Sequence, residues 1–128
     1  MTLAPIAVHT DAAPKAIGPY SQAVAAGGFL FVSGQIPLDP ATGQLVSGDF
    51  EVEVDRVLAN VDAILVAAGS GRERVVKATV FVTDLSLFGA LNDRYGRFFG
   101  DHRPARAVVQ VSALPRGARV EMEAVAVL

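Results

Sequence analysis

The 128-residue chain contains no cysteine, which excludes disulfides, thiolate metal sites and cysteine nucleophiles together. Histidine is almost as scarce. His9 and His102 lie far apart, without ligand spacing, and two histidines cannot supply a zinc site. Only Lys15 and Lys77 are lysines among the 11 basic residues. The arginines are scattered, apart from Arg72–Arg74 and Arg116–Arg119. With a net charge of −2 there is no positive stripe of the kind that binds a phosphate backbone, so nucleic acid is not an expected partner. No apolar run reaches the ~18 residues that a membrane span needs. Met1 to Lys15 lacks the basic start and continuous apolar core of a secretory signal. The expected location is therefore the cytoplasm, with no membrane partner. A phosphate-cradling loop is also missing, because Gly69-Ser70-Gly71 has neither the spacing nor the following helix. Neither histidine has a positioned serine partner for a Ser/His/Asp set.

What is present is apolar. Hydrophobic residues make up 52% and charged residues 19%, a balance that excludes a disordered chain. The length suits one domain, residues 1–128, with no linker, repeat or low-complexity tract. Residues 4–8 read as a short extended piece. Ser21–Ala26 and Phe29–Gln35 are apolar runs joined by Gly27-Gly28, a hairpin signal because both glycines tolerate positive φ. Phe50, Val54, Val57, Leu58, Val61, Ile64, Leu65 and Ala68 recur at steps of three and four, one buried face of a helix that Gly69 ends. Val75–Thr83 is a β-branched strand. Asp84 or Ser86 caps a second helix with the inner face Phe88, Leu91, Tyr95 and Phe98. Arg106–Ser112 and Arg119–Val127 are the closing strands. The spacing predicts an α/β (α+β) domain, a mixed sheet with two helices on one face. Valine in Val75–Val82 and Val108–Val111 exceeds what helices on one side require, so the other face is expected to need a partner.

Side chains alternate across a strand, so Arg106, Val108, Gln110 and Ser112 share one face. Arg119, Glu121 and Glu123 share another. If the last two strands are antiparallel neighbours, Arg106 and Glu121 approach across a pocket. Two readings stay open. One is a carboxylate-binding arginine beside a glutamate that holds water; the other is a solvated face with cross-strand ion pairs. The loop Ile17-Gly18-Pro19-Tyr20-Ser21-Gln22 either aims a phenol at a cavity or is an ordinary turn. Ser33-Gly34 within a strand marks a bulge or a place where a ligand nears the backbone. Asn92, beside the packed helix face, is an edge amide or a pocket lining.

Taken together, Ala16-Ile17-Gly18-Pro19-Tyr20-Ser21-Gln22-Ala23, Phe31-Val32-Ser33-Gly34-Gln35-Ile36-Pro37, Lys77 to Asp84, Asn92-Asp93-Arg94-Tyr95, and the tail from Pro104-Ala105-Arg106 through Leu114-Pro115 to Val120-Glu121-Met122-Glu123 resemble the reactive intermediate deaminase (RidA) family. This is the group also called L-PSP endoribonuclease or translation inhibitor. The resemblance covers nearly the whole chain. It implies a chorismate-mutase-like fold and a homotrimer with sites between subunits. It also implies hydrolysis of 2-imino acids such as 2-iminopropanoate and 2-iminobutanoate to 2-oxo acids and ammonia, with neither cofactor nor metal. The motif's carboxylate-binding arginine falls on Arg106 and its water-positioning glutamate on Glu121. Tyr20, Ser33 and Asn92 fall on pocket-lining positions. Where many members carry cysteine, this chain has Val108, a departure expected to alter substrate preference more than activity. A deaminase of a larger, pathway-specific enamine acid, a non-catalytic binder of small carboxylates and an endoribonuclease-type inhibitor are the alternatives.

Overall fold

The computed structural model describes residues 4–128. Its strands are β1 (Ile6–Val8), β2 (Ala23–Ala26), β3 (Phe29–Gln35), β4 (Val75–Val82), β5 (Ala105–Gln110) and β6 (Val120–Val127). The helices α1 (Phe50–Ala67) and α2 (Phe88–Phe99) follow β3 and β4. Gly27 and Gly28, at φ 60° and 83°, turn the β2–β3 hairpin in the left-handed conformation that a two-residue link needs. The expected α1 face is the observed one. Val54, Val57, Leu58, Val61, Ile64 and Leu65 are all buried. In α2 the buried face is Leu91, Tyr95 and Phe99. Phe98 instead lies at the flank, where the Arg72 guanidinium stacks on its ring at 4.0 Å. Asp84 caps a single 3-10 turn ahead of α2 by accepting from the Ser86 amide at 2.9 Å.

All six strands form one mixed sheet in the order β1-β2-β3-β6-β4-β5. β6 lies antiparallel between β3 and β4, and β5 runs parallel to β4 at the far edge. A parallel pair cannot be joined by a tight turn, and α2 makes the crossover. The closing strands are therefore not neighbours, contrary to the expectation above. Arg119 also departs from it. It precedes β6 and turns towards α1, where Glu53 accepts from its backbone amide at 3.2 Å and also pairs with its guanidinium.

Leu30, Val32, Ala78, Val80, Val82, Val120, Met122, Ala124 and Ala126 form the sheet's side of one core cluster with both helices. The opposite face carries Phe29 and Phe31 exposed at 41% and 47%, with Val109 at 40%. No helix among the described residues is long and apolar enough to cross a membrane.

Asn60, on α1 and fully buried, pins the segment that follows β3. Its amide donates to the Leu38 carbonyl at 3.0 Å and the Ile36 carbonyl at 3.3 Å, while its oxygen accepts from Arg56 at 3.1 Å. Asn60→Ala leaves the buried Leu38 carbonyl short of a donor. It should cost about 1–3 kcal/mol in urea unfolding at an unchanged m value. An unaltered midpoint would show that this bond contributes nothing.

Candidate functional site

Arg106 lies on β5 opposite Ala78 of β4, so it shares the helix-facing side of the sheet. Its Nη1 donates to Asn92 Oδ1 at 2.7 Å. The guanidinium lies 4.8 Å from the centre of the Tyr95 ring and 5.6 Å from that of Phe88. Two aromatic faces thus hold the cation in place and leave most of its N–H donors unspent. A cleft of about 380 Å³ lies here, lined by Asn92, Tyr95, Gly96, Arg103, Pro104 and Arg106. It has two cations and no carboxylate. The Tyr95 hydroxyl is buried without a partner, and burial raises its pKa despite the nearby arginines. The phenol is therefore a neutral wall group.

Glu121 lies on β6 opposite Phe81, on the other face of the sheet. Within one chain, Arg106 and Glu121 are thus on opposite faces, with β4 between their strands. The expected approach of the two across one pocket does not occur. Glu121 lines a second cleft, of about 510 Å³, together with Tyr20, Ser33, Gly34, Gln35 and Arg116 among others. Burial, and secondarily the charge of Glu123, raise the pKa of its carboxyl. Gly34 sits at the bulge between Val32 and Gln35. A β-carbon there would run into the Glu121 carboxylate, so the missing side chain is what admits that carboxylate against the strand.

Tyr20 is half exposed, and its hydroxyl accepts from the Ile17 amide at 3.3 Å. Ser33 Oγ donates to the Ser21 carbonyl at 2.6 Å, tying the tyrosine loop to β3. Val108 packs against the core on the helix side and lines neither cleft. The structure brings Tyr20, Ser33 and Glu121 together, and separately Arg106 with Asn92. Sequence reasoning missed Gln22. This buried amide bonds Thr10, Ala13 and Pro14, and so fixes the strap that carries Lys15 into the cleft wall. It also missed Lys15 and Arg116 as lining residues. Nothing in the local pattern distinguishes a cleft cation from a surface one. Among the described residues no group of three or more His, Cys, Asp or Glu could hold a metal ion.

Residues 10–128 match a family model described as Endoribonuclease L-PSP. The chain is 56% identical over 123 residues to Protein DfrA of Myxococcus xanthus, covering 94% of each. It is 51% identical over 120 residues to a 2-iminobutanoate/2-iminopropanoate deaminase of Capra hircus, covering 94% of this chain and 88% of that one. Among solved structures, E. coli TdcF with bound serine overlays with a TM-score of 0.92 at 44% identity, covering 96% of this chain and 98% of that one.

The raised Glu121 pKa has a consequence for stability. A carboxyl that holds its proton more tightly when folded favours folding below its unfolded pKa, and that contribution is lost as pH rises through the folded value. Once ionised, the partly buried Glu121 is thus a burden on the fold. Glu121→Gln should raise Tm near neutrality, and the gain should vanish once the pH falls below about 4, under the ordinary glutamate value. A Tm lowered at all pH values would instead mark Glu121 as a structural ion-pair partner.

Proposed function

The chain belongs to the endoribonuclease L-PSP, or RidA, family, and from that premise we propose that it hydrolyses reactive 2-imino acids and their enamine tautomers to 2-oxo acids and ammonia. The observation that carries the reading is the division of the machinery. An acid-free arginine cleft and a glutamate of raised pKa lie on opposite faces of one sheet, so neither alone serves a 2-imino acid. A second copy of the chain would bring its Glu121 cleft against the Arg106 edge of the first. The exposed Phe29, Phe31 and Val109 give the Glu121 face the apolar area such contact needs. We take the assembly to be a homotrimer with one such cleft per pair of neighbours.

In that cleft Arg106 receives the substrate carboxylate through two parallel N–H bonds, its orientation set by Asn92 and Tyr95. Fixing the carboxylate fixes C2. A water on Glu121 adds its oxygen to C2 of the protonated imine, and Glu121 takes the proton. Glu121 then gives that proton to the carbinolamine nitrogen, the C–N bond breaks with its electron pair on nitrogen, and ammonia leaves as the C2 hydroxyl passes its proton to Glu121 and the C2 carbonyl forms. An iminium carbon is already electrophilic, so positioning supplies most of the acceleration. A base of raised pKa is better matched to neutral pH than an ordinary carboxylate. Tyr20 and Ser33 shape the wall around the water. No step calls for a cofactor.

Relatives named 2-iminobutanoate/2-iminopropanoate deaminase support this reading, as does serine, a small amino acid, bound to TdcF. A ribonuclease would need a cationic track for the phosphate backbone, and a chain of net charge −2 with scattered arginines offers none.

Three variants test the chemistry and the assembly. Glu121→Gln should lower kcat by roughly 10²–10⁴ while pyruvate still binds. Arg106→Lys should lower kcat/KM sharply, because a point charge does not reproduce the fork. Near wild-type turnover in Arg106→Lys would count against two-pronged binding. Refolding Arg106→Ala with Glu121→Gln in equal amounts should restore about a quarter of wild-type activity, since that share of clefts draws both native residues from different chains. No recovery, or a monomer mass in light scattering, rejects the shared cleft.

A further inference from the structure

The Glu121 cleft holds more than the hydrolysis of a small imine uses. In the single chain its volume is about 510 Å³, space that the edge of a neighbouring copy and a ligand larger than 2-iminopropanoate, whose side chain is a methyl group, would share. Its lining includes the apolar Ile36, Leu38 and Pro115 beside Glu121's carboxylate and two cations, Lys15 and Arg116. Neither cation enters an ion pair among the described residues. The charge that acts on the Glu121 carboxyl is Glu123, and no cation offsets the rise in its pKa.

Arg116 is held in an unusual way. It is the one non-glycine residue with positive φ among those described, at φ 62° and ψ 18°, between Pro115 and Gly117. A left-handed position is served at lower cost by glycine or asparagine. Arginine there adds nothing to the turn, so its use lies in the side chain. Arg116 Nη1 donates to the Gly43 carbonyl at 2.8 Å. That bond pins the guanidinium and leaves its remaining donors free.

We propose that this cleft selects 2-imino acids whose side chain carries a second carboxylate, which Lys15 and Arg116 receive while C2 lies at Glu121. The proposal rests on the imine-hydrolase reading and names its substrate class. The apolar lining of Ile36, Leu38 and Pro115 accommodates the methylene spacer. A wholly aliphatic side chain of the same length would cover both cations without pairing them, at a desolvation cost. The reaction is unchanged: water adds to C2, the C–N bond breaks, ammonia leaves, and a 2-oxo dicarboxylate is the product.

The test generates imines in situ with flavin amino-acid oxidases acting on glutamate, aspartate, leucine and alanine, and follows 2-oxo acid release above the spontaneous rate. The wild-type protein should show a higher kcat/KM for the dicarboxylic imines than for 2-iminopropanoate, with the preference shrinking as salt rises. Lys15→Glu, at an exposed position, should lower the ratio of dicarboxylic to 2-iminopropanoate activity by roughly tenfold, with Tm unmoved. Arg116→Asn, which tolerates the left-handed backbone, should lower the same ratio. If 2-iminopropanoate is hydrolysed but the ratio is the same in all three proteins, or if leucine's imine is preferred, the substrate class is wrong. A lowered Tm with an unchanged ratio in Arg116→Asn makes Arg116 a loop staple and overturns its role. If no imine is hydrolysed, the enzymatic reading fails, and calorimetry decides the subsite separately. Tighter binding of 2-oxoglutarate than of 2-oxobutanoate, lost in Lys15→Glu, upholds it; equal affinities overturn it.

Discussion

Strand β6 runs between β3 and β4, and the candidate site takes its geometry from that insertion. β3 and β4 are each antiparallel to β6, so they run parallel to each other. Chains joining parallel strands must cross over a face of the sheet, which is what α1 does and what α2 does again for β4 and β5. Both helices cover the same face, and their apolar residues join one core cluster. The period of two then assigns every side chain on the strands. Met122 and Ala124 point into the core, so Glu121 and Glu123 point away from it. On β5, Arg106 is directed to the helix side, where Asn92 and Tyr95 meet it. Moving Glu121 to the face of Arg106 would expose Met122 and Ala124 and bury a carboxylate in the core.

The Glu121 face is unusual for a sheet surface because it combines aromatic residues with a partly desolvated acid. Exposed Phe29 and Phe31 lie on β3, directly beside β6. Gly34 lets the backbone come against the Glu121 carboxylate where any other residue would push it out. The cost falls on stability, since a carboxyl with raised pKa opposes folding once ionised. A chain optimised only to fold would place a neutral group there. Proteins keep such local conflicts where a group has work to do.

The elements themselves were legible in the chain because their signals are local. Gly27-Gly28, the three-and-four spacing from Phe50 to Leu65, and the valines of β4 each declare their structure within a few residues. The faces within each strand were also legible, and Glu121 was rightly set apart from Val120 and Met122. Which strands lie side by side was not. Successive strands are usually neighbours, and the turn at Leu114–Gly117 suits a reversal, so β5 and β6 read as a pair. Nothing local announces that β6 passes over β4 into the gap beside β3; that choice is made by the burial of two apolar faces at once. The site inherited the same error. Arg106 and Glu121 were each singled out as candidates, but their placement on opposite faces follows from strand order alone.

The cleft wall shows a second kind of information that local pattern does not carry. Gln22 is polar, yet only 1% exposed, because it satisfies backbone groups of Thr10, Ala13 and Pro14 that would otherwise be buried unpaired. Asn60 does the same for the segment after β3. Arg119 joins the carbonyl of Gly48 to Glu53 of α1. Each of these side chains fastens a loop that lines or borders the Glu121 cleft, and each acts over a sequence distance that no short window spans. Hydrophobic burial places the sheet and helices to within a strand's width. These few polar contacts then fix the irregular segments that carry Lys15, Tyr20, Ile36 and Leu38 to the cleft, and a ligand would be recognised at that finer scale.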